Sequence, residues 1–368
     1  MTSENGAVRT ADAPETVLVL NRGSSSLKFG LFAVGESRTD ELFAGEIEQR
    51  GAETAALEQI EQILAARKCA KPTAIGHRIV HGGFQMRDHC LIDLNTIALI
   101  EQAAAFAPIH DPAALALIRL AGAHFTDLPQ VACFDTAFHA TLPEIAHVLP
   151  IPREYRADGV RRYGFHGLSC ESVVRHLAAT LPSRLVVAHL GNGSSVTAIK
   201  DGRSIDTSMG LTPSGGVVMG SRSGDLDPGV LLYLLREKHF DAAKLADLID
   251  FRSGMLGISG ISGDMRRLHE AEPDSADARL AVAMFCYSTR KQIAGMIAAL
   301  GGIDMLVFTG GIGENDAVVR AEICDGLEWL SGFTVCVVPS REDEMIARHT
   351  YELVKKSHTC LPRQVAER

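Results

Sequence analysis

A strand, a glycine- and serine-rich turn and a second strand occur together twice in this chain, and this repeat limits the fold more than any other feature. The first copy is an apolar run at residues 17–20 followed by NRGSSSLK at residues 21–28. The second is a strand-like run at residues 185–189 that leads into GNGSS at residues 191–195 and then into the apolar residues 196–199. Two such hairpins indicate duplicated halves, each offering its turn to one nucleotide. Chance similarity between two ordinary hairpins is the alternative.

The first turn has the composition of a phosphate-binding segment. Small residues let backbone amides approach an anion closely, three serines add hydroxyl donors, and Lys28 supplies a positive charge. A polar serine-rich hairpin without a ligand has the same composition, because short glycine motifs also occur where nothing is bound.

The overall composition is that of a globular protein large enough for two domains. The chain has 368 residues, of which 46% are hydrophobic and 22% charged, and its formal net charge is -9. An acidic chain is not expected to bind nucleic acid, and one that handles anions has to concentrate its cations locally. The eight cysteines occur singly, and no run reaches the roughly 18 apolar residues of a membrane span. We therefore expect a cytoplasmic protein with no membrane partner.

Helical and strand-like segments alternate along the chain. Helical spacing of apolar residues occurs at residues 55–66, 95–106, 113–121, 231–237 and 278–300, and strand-like runs occur at residues 17–20, 131–134, 185–189, 305–308 and 335–338. This alternation predicts an α/β fold with a partly parallel sheet in each half and with ligands at the carboxyl ends of strands.

Two arginines lie in glycine-rich segments rather than on helix faces. Arg78 lies within GHRIVHGG, and Arg222 lies near the centre of a long stretch without periodicity, residues 206–228. The five donors of a guanidinium match a carboxylate or phosphoryl group in a bidentate way, so both arginines are candidate anion ligands. A structural arginine paired with a core acid is the alternative for Arg78. Irregular stretches as long as that around Arg222 are often functional loops.

Asp135 and His166 are two further candidate site residues. Asp135 comes directly after the apolar residues 131–134, where a carboxylate often holds Mg2+ or a reacting group, although an N-cap for the next helix explains it equally well. His166 lies in RRYGFHG, between glycines and close to two arginines. A lone histidine is usually structural, but this setting favours an anion donor.

A further glycine-rich segment, TGGIGEN, follows the strand-like residues 305–308 and lets a nucleotide lie against bare backbone. A Rossmann turn is the competing interpretation. Neither this segment nor residues 191–196 completes G-x-G-x-x-G, and the chain has no G-x-x-x-x-G-K-[ST].

In this order, nine segments closely resemble the acetokinase family: NRGSSSLK, GHRIVHGG, FDTAFH, RRYGFHG, HLGNGSS, DTSMGLTP, MGSRSGDLDP, SGMLGISG and FTGGIGEN. That family belongs with the actin, Hsp70 and sugar-kinase superfamily. The resemblance implies two duplicated RNase H-like (actin-like ATPase) domains with an interdomain nucleotide cleft. It implies an N-terminal lobe of residues 1–140 plus 346–368, a C-terminal nucleotide-binding lobe of residues 141–345, and a homodimer.

The resemblance also implies roles for particular residues. Around the reacting groups they are Asn21 and Glu342 as ligands of Mg2+ (or Mn2+), Lys28 near the phosphates, Arg78 on the carboxylate, Asp135 as catalytic acid, and His166 and Arg222 on the transferred phosphoryl group. For ATP or ADP they are His189, Leu190, Gly191, Asn192, Gly193, Asp264, Met265, Arg266, Gly311, Ile312, Gly313, Glu314 and Asn315. Residues implied to line a methyl pocket are Val80, Phe165 and Pro213.

The chain departs from the family pattern at several positions. Glu342 lies in REDE, where the family has N-E-E, so Asp343 or Glu344 could be the metal ligand instead. Asp111 stands where the family has Asn, and because an ionised carboxylate only accepts hydrogen bonds, a donor near the anions would be lost. The remaining departures are Arg22 in place of Ala and, within H-G-T-S-H, Leu168 and Cys170.

The implied reaction is the reversible, Mg-dependent transfer of a phosphoryl group from ATP to acetate, giving acetyl phosphate and ADP. The attacking carboxylate is already an anion, so no general base is required, and Asp135 is expected to organise Mg2+ or its waters. One alternative is a propionate kinase, which differs only in pocket volume. The other is an actin-like or Hsp70-like ATPase that gates a partner. Four residues argue against that ATPase, because it has no use for a second set of cations that holds a small carboxylate: Arg78, Asp135, His166 and Arg222.

Overall fold

The computed structural model describes residues 14–22, 26–48, 53–108 and 110–360. The chain divides into two compact units. Unit 1 comprises the described residues within Met1–Ile79, Asp88–Cys133 and Asp343–Arg368, and unit 2 comprises Val80–Arg87 and Phe134–Glu342. The lobe boundaries expected from the family resemblance stay a prediction.

Unit 1 is built on a six-stranded sheet. Its strands are β1 (Glu15–Arg22), β2 (Ser26–Val34), β3 (Thr39–Glu48), β4 (Ala74–Ile79), β5 (Cys90–Leu91) and β6 (Gln130–Phe134). They lie in the order β3-β2-β1-β4-β6-β5. The first three strands form an antiparallel meander, and β4 joins β1 in parallel. The middle of the predicted phosphate turn, residues 23–25, lies outside the described residues.

Three helices of unit 1 precede β6 in the chain. They are α1 (Glu53–Ala66), α2 (Leu94–Ala103) and α3 (Asp111–His124). The carboxylate of Asp93 accepts a hydrogen bond from the Thr96 amide and so begins α2. Leu18 and Leu20 of β1 share one buried cluster with Leu57 of α1 and Leu117 of α3. This cluster is the core on one face of the sheet.

Unit 2 is built on a five-stranded sheet. Its strands are β7 (Arg184–Leu190), β8 (Ser194–Lys200), β9 (Arg203–Thr207), β10 (Met305–Thr309) and β11 (Thr334–Val337). They lie in the order β11-β10-β7-β8-β9. Again the first three strands form an antiparallel meander, and β10 lies parallel to both β7 and β11. The repeated hairpins therefore begin two sheets of the same plan, as the sequence predicted.

Nine helices lie within unit 2. They are α4 (Glu144–His147), α5 (Gly167–Leu177), α6 (Pro228–Glu237), α7 (Ala242–Phe251), α8 (Gly254–Ser259), α9 (Met265–Ala271), α10 (Ala276–Leu300), α11 (Gly310–Asn315) and α12 (Ala317–Asp325). Val186 of β7 belongs to the same buried cluster as Phe285 of α10, and Val187 belongs to the same cluster as Val173 of α5. Because alternate residues of β7 point to opposite faces, both faces of the sheet are covered.

The last helix, α13 (Glu342–Cys360), returns the chain to unit 1. It packs closely on β4, because a Cβ atom at Gly76 would overlap the side chains of Ile346 and Thr350. The cysteines whose side chains are described are all free thiols. Within the described ranges, none of the helices combines the length and apolar character needed to cross a membrane.

Candidate active site

A cavity of about 560 Å³ opens in unit 2 where the ends of β7 and β10 and the start of α9 meet. It is lined by Gly191, Asn192, Gly263, Asp264, Met265, Arg266, Gly311, Ile312, Asn315 and Asp316. Three segments that the family resemblance assigns to the nucleotide thus surround one space. His189, Leu190, Gly193, Gly313 and Glu314 are not among its lining residues.

Glycine lets the strand ends approach each other at this cavity. Gly310, directly after β10, has φ of +80°, and a Cβ atom there would lie 2.8 Å from the carbonyl oxygen of Leu190. A larger residue would therefore be strained and would push β10 away from the end of β7. The backbone amide of Gly191 donates to the carbonyl of Gly193 at 3.1 Å and closes the second repeated turn.

Glu314 turns away from the cavity and holds the surrounding backbone. Its Oε1 atom accepts hydrogen bonds from the amides of Gly310 and Ser340, each at 2.9 Å. The cavity-lining residues of α11 are Gly311, Ile312 and Asn315, which lie on one side of the helix, while Glu314 lies off that side. Its expected contact with the nucleotide stays a prediction.

The start of α9 forms another part of the cavity wall. The Asp264 carboxylate accepts a hydrogen bond from the Arg266 amide at 2.9 Å and caps the helix. The same carboxylate pairs with the exposed guanidinium of Arg266 at 2.7 Å. These bonds from Arg266 lower the pKa of Asp264, so this carboxyl is ionised at neutral pH.

His166 and His189 form a stacked pair next to the second repeated turn. Their ring centroids are 4.1 Å apart and the ring planes differ by 21°. Nδ1 of His166 lies 3.0 Å from the Ser195 hydroxyl, and Nδ1 of His189 lies 2.8 Å from the Ser169 hydroxyl. Each serine fixes the orientation of one ring.

The backbone of His166 has a conformation that is uncommon for a residue with a side chain. It precedes α5 with φ of 56° and ψ of 29°, in the left-handed region. This conformation costs of order 1 kcal/mol and persists only where the surroundings hold it, as they often do at functional sites.

Arg222 and His166 approach the same point. A Cβ atom at Gly193 would lie 3.3 Å from Nη1 of Arg222 and 3.3 Å from Nε2 of His166. Nη1 of Arg222 also donates to the carbonyl of Pro213 at 3.2 Å. Because Gly193 has no side chain, a guanidinium and an imidazole can both reach an anion placed there.

Asp135 lies at the end of β6 and is fully buried. Its backbone carbonyl accepts the Gly167 amide at 2.9 Å, which ties it to the start of α5. Burial raises the pKa of the nearby Cys170 thiol to about 12, and the negative charges of Glu342 and Asp135 add to this rise. Both predicted acids, Glu342 and Asp135, therefore lie close enough to the Cys170 thiol to raise its pKa.

The segments implied to form the methyl pocket meet around His81. Val80 and Phe165 are buried, and the His81 ring lies 5.6 Å from the Phe165 ring, centroid to centroid. Nε2 of His81 lies 3.2 Å from the carbonyl oxygen of Leu211, two residues before Pro213. Burial lowers the pKa of His81 to about 4, so this apolar neighbourhood contains a neutral imidazole at pH 7.

In unit 1, Asn21 connects Arg78 with the acidic start of α13. The Asn21 amide nitrogen donates to Asp343 Oδ1 at 2.9 Å, and Asn21 Oδ1 accepts from Arg78 Nη1 at 3.5 Å. Lys28 is exposed and lies opposite Asn21 in the β1/β2 pairing. Amide and carboxylate oxygens are the ligands that Mg2+ prefers, so the donor types at this position fit a divalent cation.

Sequence reasoning missed several residues of this arrangement. Ser195 lies in the GNGSS turn, but its bond to a histidine depends on tertiary contacts that spacing does not show. Ser169 lies in a helix that apolar spacing did not predict. Gly263 and Asp316 line the cavity and directly flank segments that were predicted.

The chain is similar in sequence to one family of known proteins. The family model described as the acetokinase family matches residues 38–341. The acetate kinases of Brachyspira hyodysenteriae and Nitrobacter hamburgensis are 38% and 40% identical to the chain, covering 92% of it and 100% and 96% of those proteins.

Solved structures of similar proteins share the fold. The crystal structure of Porphyromonas gingivalis acetate kinase has 34% identity and a TM-score of 0.80, covering 92% of this chain and 100% of that one. A propionate kinase from Francisella tularensis has 35% identity and a TM-score of 0.84 over the same shares. These matches confirm the predicted α/β fold with duplicated RNase H-like halves. The chain belongs to the acetokinase family.

Proposed function

We propose that this chain catalyses the reversible transfer of the γ-phosphoryl group of ATP to acetate, giving acetyl phosphate and ADP. Its curated relatives are acetate kinases across their whole length. The observation that carries the proposal is the meeting of His166 and Arg222 at Gly193, one residue from the cavity-lining Asn192. Anion-binding groups thus lie beside a cavity large enough for a nucleotide.

The main chemical task is to bring two anions together. In the proposed complex the nucleotide occupies the cavity and its terminal phosphoryl group lies at Gly193. With the Ser195 hydroxyl, 3.0 Å away, donating to Nδ1 of His166, Nε2 is an N–H donor toward the phosphoryl oxygens in the proposed complex. Arg222 adds a fixed positive charge, and such preorganised donors stabilise the charge of the transition state.

We further propose that Arg78 binds the carboxylate of acetate, while Val80, Phe165 and Pro213 surround its methyl group. Propionate differs from acetate by one methylene, which a hydrophobic pocket distinguishes by about 1–3 kcal/mol. The propionate kinase alternative is not favoured over acetate, because the curated relatives reported above are acetate kinases.

A divalent cation, Mg2+ or Mn2+, belongs to this proposal. Asn21 and Glu342 are its proposed ligands, with Asp343 holding the Asn21 amide in place. When bound, the cation neutralises part of the phosphate charge. Asp135 is proposed to orient the cation or its waters rather than to remove a proton, since the nucleophile is already ionised.

A homodimer is the proposed assembly. The helices α6 and α7 have no buried residue, although both are rich in apolar side chains. The exposed apolar residues on these two helices and just before α6 are Leu226, Val230, Leu232, Tyr233, Leu235 and Phe251. Several exposed apolar side chains on two successive helices support a subunit interface at this position. Analytical ultracentrifugation that finds only the 39.5 kDa monomer at micromolar concentration would contradict it.

Trapping the acyl phosphate with hydroxylamine tests the proposed reaction. We expect acetohydroxamate to form only when enzyme, Mg2+, ATP and acetate are all present. Propionate and butyrate in place of acetate, and GTP or pyrophosphate in place of ATP, measure the specificity. Hydrolysis of ATP at a rate indifferent to acetate, with no hydroxamate, would instead support the gating ATPase.

A further inference from the structure

His269 lies between two carboxylates, one directly after its own helix and one in the cavity wall. Its Nδ1 atom is 2.9 Å from Oε2 of Glu272, which follows α9, and its Nε2 atom is 2.9 Å from Oδ2 of Asp316, which precedes α12. The side chains of His269 and Asp316 are only 26% and 16% exposed, so this pair is shielded more than an ordinary surface ion pair.

The two bonds require a charged imidazole. A carboxylate only accepts hydrogen bonds, so both ring nitrogens of His269 must carry a proton for both bonds to form. Burial lowers the pKa of His269, but the bonds to Glu272 and Asp316 and their negative charges outweigh burial and hold the pKa above its ordinary value of 6.5. These two carboxylates are the charged groups that act on the ring, one directly after α9 and one directly before α12.

The pair joins two separate walls of the nucleotide cavity. Asp264, Met265 and Arg266 at the start of α9 line the cavity, and His269 lies one turn further along the same helix. Asp316 lines the cavity from the segment that follows α11, and its other oxygen accepts the Val319 amide at 3.0 Å, which caps α12. Movement of α9 away from this segment would break the His269–Asp316 bond.

We propose that the His269 imidazolium is a latch that fixes the separation of the two cavity walls and thereby sets the affinity for ATP and ADP. His269 is a positioning residue, because it acts on the nucleotide through Asp316 and α9. The inference rests on the proposed function, since it takes the cavity to be the nucleotide site. It extends that function by making nucleotide affinity dependent on pH, with acetate binding unaffected.

The direction of the pH effect follows from the charge. As the pH rises through the raised pKa of His269, the ring loses one proton and one nitrogen presents a lone pair to a carboxylate. The latch then keeps one bond and gains a repulsion, so the affinity for ADP falls. Below that pH the latch makes its full contribution to the affinity for ADP.

Calorimetric titration of the full-length protein with ADP tests the latch. We expect the wild-type Kd for ADP to rise between pH 6.5 and pH 9 by about tenfold, the scale of one charge-assisted hydrogen bond. His269→Gln should bind ADP about tenfold more weakly at pH 6.5 and show little further change at pH 9. His124→Gln, which removes another histidine–glutamate contact in unit 1, should match the wild type.

A second variant covers the case in which His269→Gln does not fold. Asp316→Asn keeps an N-cap for α12 but removes the charge that faces His269, and it should reproduce the weaker, pH-insensitive binding. In steady-state assays His269→Gln should raise the KM for ATP while leaving kcat and the KM for acetate within about twofold of the wild type.

Several results separate the latch from the proposed function. Wild-type ADP affinity in both variants at both pH values would overturn the latch. Failure of the wild type to bind ADP at all would overturn it too, since the cavity would not be the nucleotide site. If the wild type binds ADP with the expected pH dependence but makes no acetyl phosphate, the proposed reaction fails and the latch stands.

Discussion

The reactive nitrogens of His166 and Arg222 converge on one point of unit 2. Nε2 of His166 and Nη1 of Arg222 each lie 3.3 Å from where a Cβ atom at Gly193 would be. The His166 ring is held by the Ser195 hydroxyl, and the Arg222 guanidinium by the Pro213 carbonyl. Both donors are therefore oriented by the protein before any ligand arrives, which is the arrangement that lowers the cost of stabilising a developing charge.

Substitution Gly193→Ala tests this convergence directly. Its methyl group would occupy the point between the two nitrogens, so the phosphoryl group would be displaced by about 1 Å or more, and kcat should fall on the order of 100-fold. The turnover of acetate with saturating ATP measures this. Gly295→Ala, where a Cβ atom meets nothing within 4 Å, is the matched control and should retain wild-type kcat. Normal turnover in Gly193→Ala would place the phosphoryl group elsewhere.

The acidic start of α13 can be tested residue by residue. Glu342→Gln should raise the Mg2+ concentration for half-maximal rate about tenfold or more, because a neutral amide binds a hard cation more weakly than a carboxylate does. Asp343→Asn should have a smaller effect, since its amide oxygen can still accept the bond from Asn21. Glu344→Gln tests the other acid of this segment that could be the ligand, and its effect should also be smaller. A larger effect of Asp343→Asn than of Glu342→Gln would transfer the ligand role to Asp343.

His139 makes the stability of unit 2 dependent on pH. The ring is buried, with Nδ1 2.9 Å from the Ser204 hydroxyl and Nε2 2.9 Å from the Phe165 carbonyl. Burial lowers its pKa from 6.5 to about 4, an effect that the bond to Phe165 opposes in part. Between these two pH values the unfolded chain binds a proton that the folded chain does not. The free energy of unfolding therefore falls as the pH drops from 6.5 toward 4.

Urea unfolding at pH 7.5 and pH 5 measures the contribution of His139 to the free energy of unfolding. We expect His139 to contribute a loss of roughly 2 kcal/mol between the two pH values, which should be absent in His139→Gln. Substitution of the exposed His358 by Gln is the control and should keep the wild-type difference. An unchanged pH dependence in His139→Gln would show that this ring does not set it.

The central strands β1 and β7 could be predicted because both are buried on both faces. The runs that begin β1 and β7 are continuously apolar, and a hairpin turn follows each, so local sequence alone predicts strand, turn and strand. α5 was not predicted, because its buried residues include Ser169, Cys170 and Ser172, which do not give an apolar period. α13 was missed too, since its buried positions are interspersed with many charged ones.

The site could be predicted only in part. Glycine-rich turns that follow strands can be recognised in the amino-acid sequence. For this reason the segments of Gly191 and Gly311 could be assigned to the nucleotide. The pairing of His166 with Ser195, or of His269 with Asp316, joins residues 29 and 47 positions apart. No spacing rule predicts such pairs. They depend on how strands and helices pack.

The most direct test of the central claim is a comparison of Arg222→Ala with the wild type in two measurements on the same samples. Acetyl phosphate formation from ATP and acetate should fall on the order of 100-fold or more, because one fixed cation is lost from the transition state. ADP binding by calorimetry should be nearly unchanged, since Arg222 is not among the lining residues of the cavity. Arg252→Ala, at an exposed ion pair with Asp247, should be normal in both. Near-normal acetyl phosphate formation by Arg222→Ala would contradict the account.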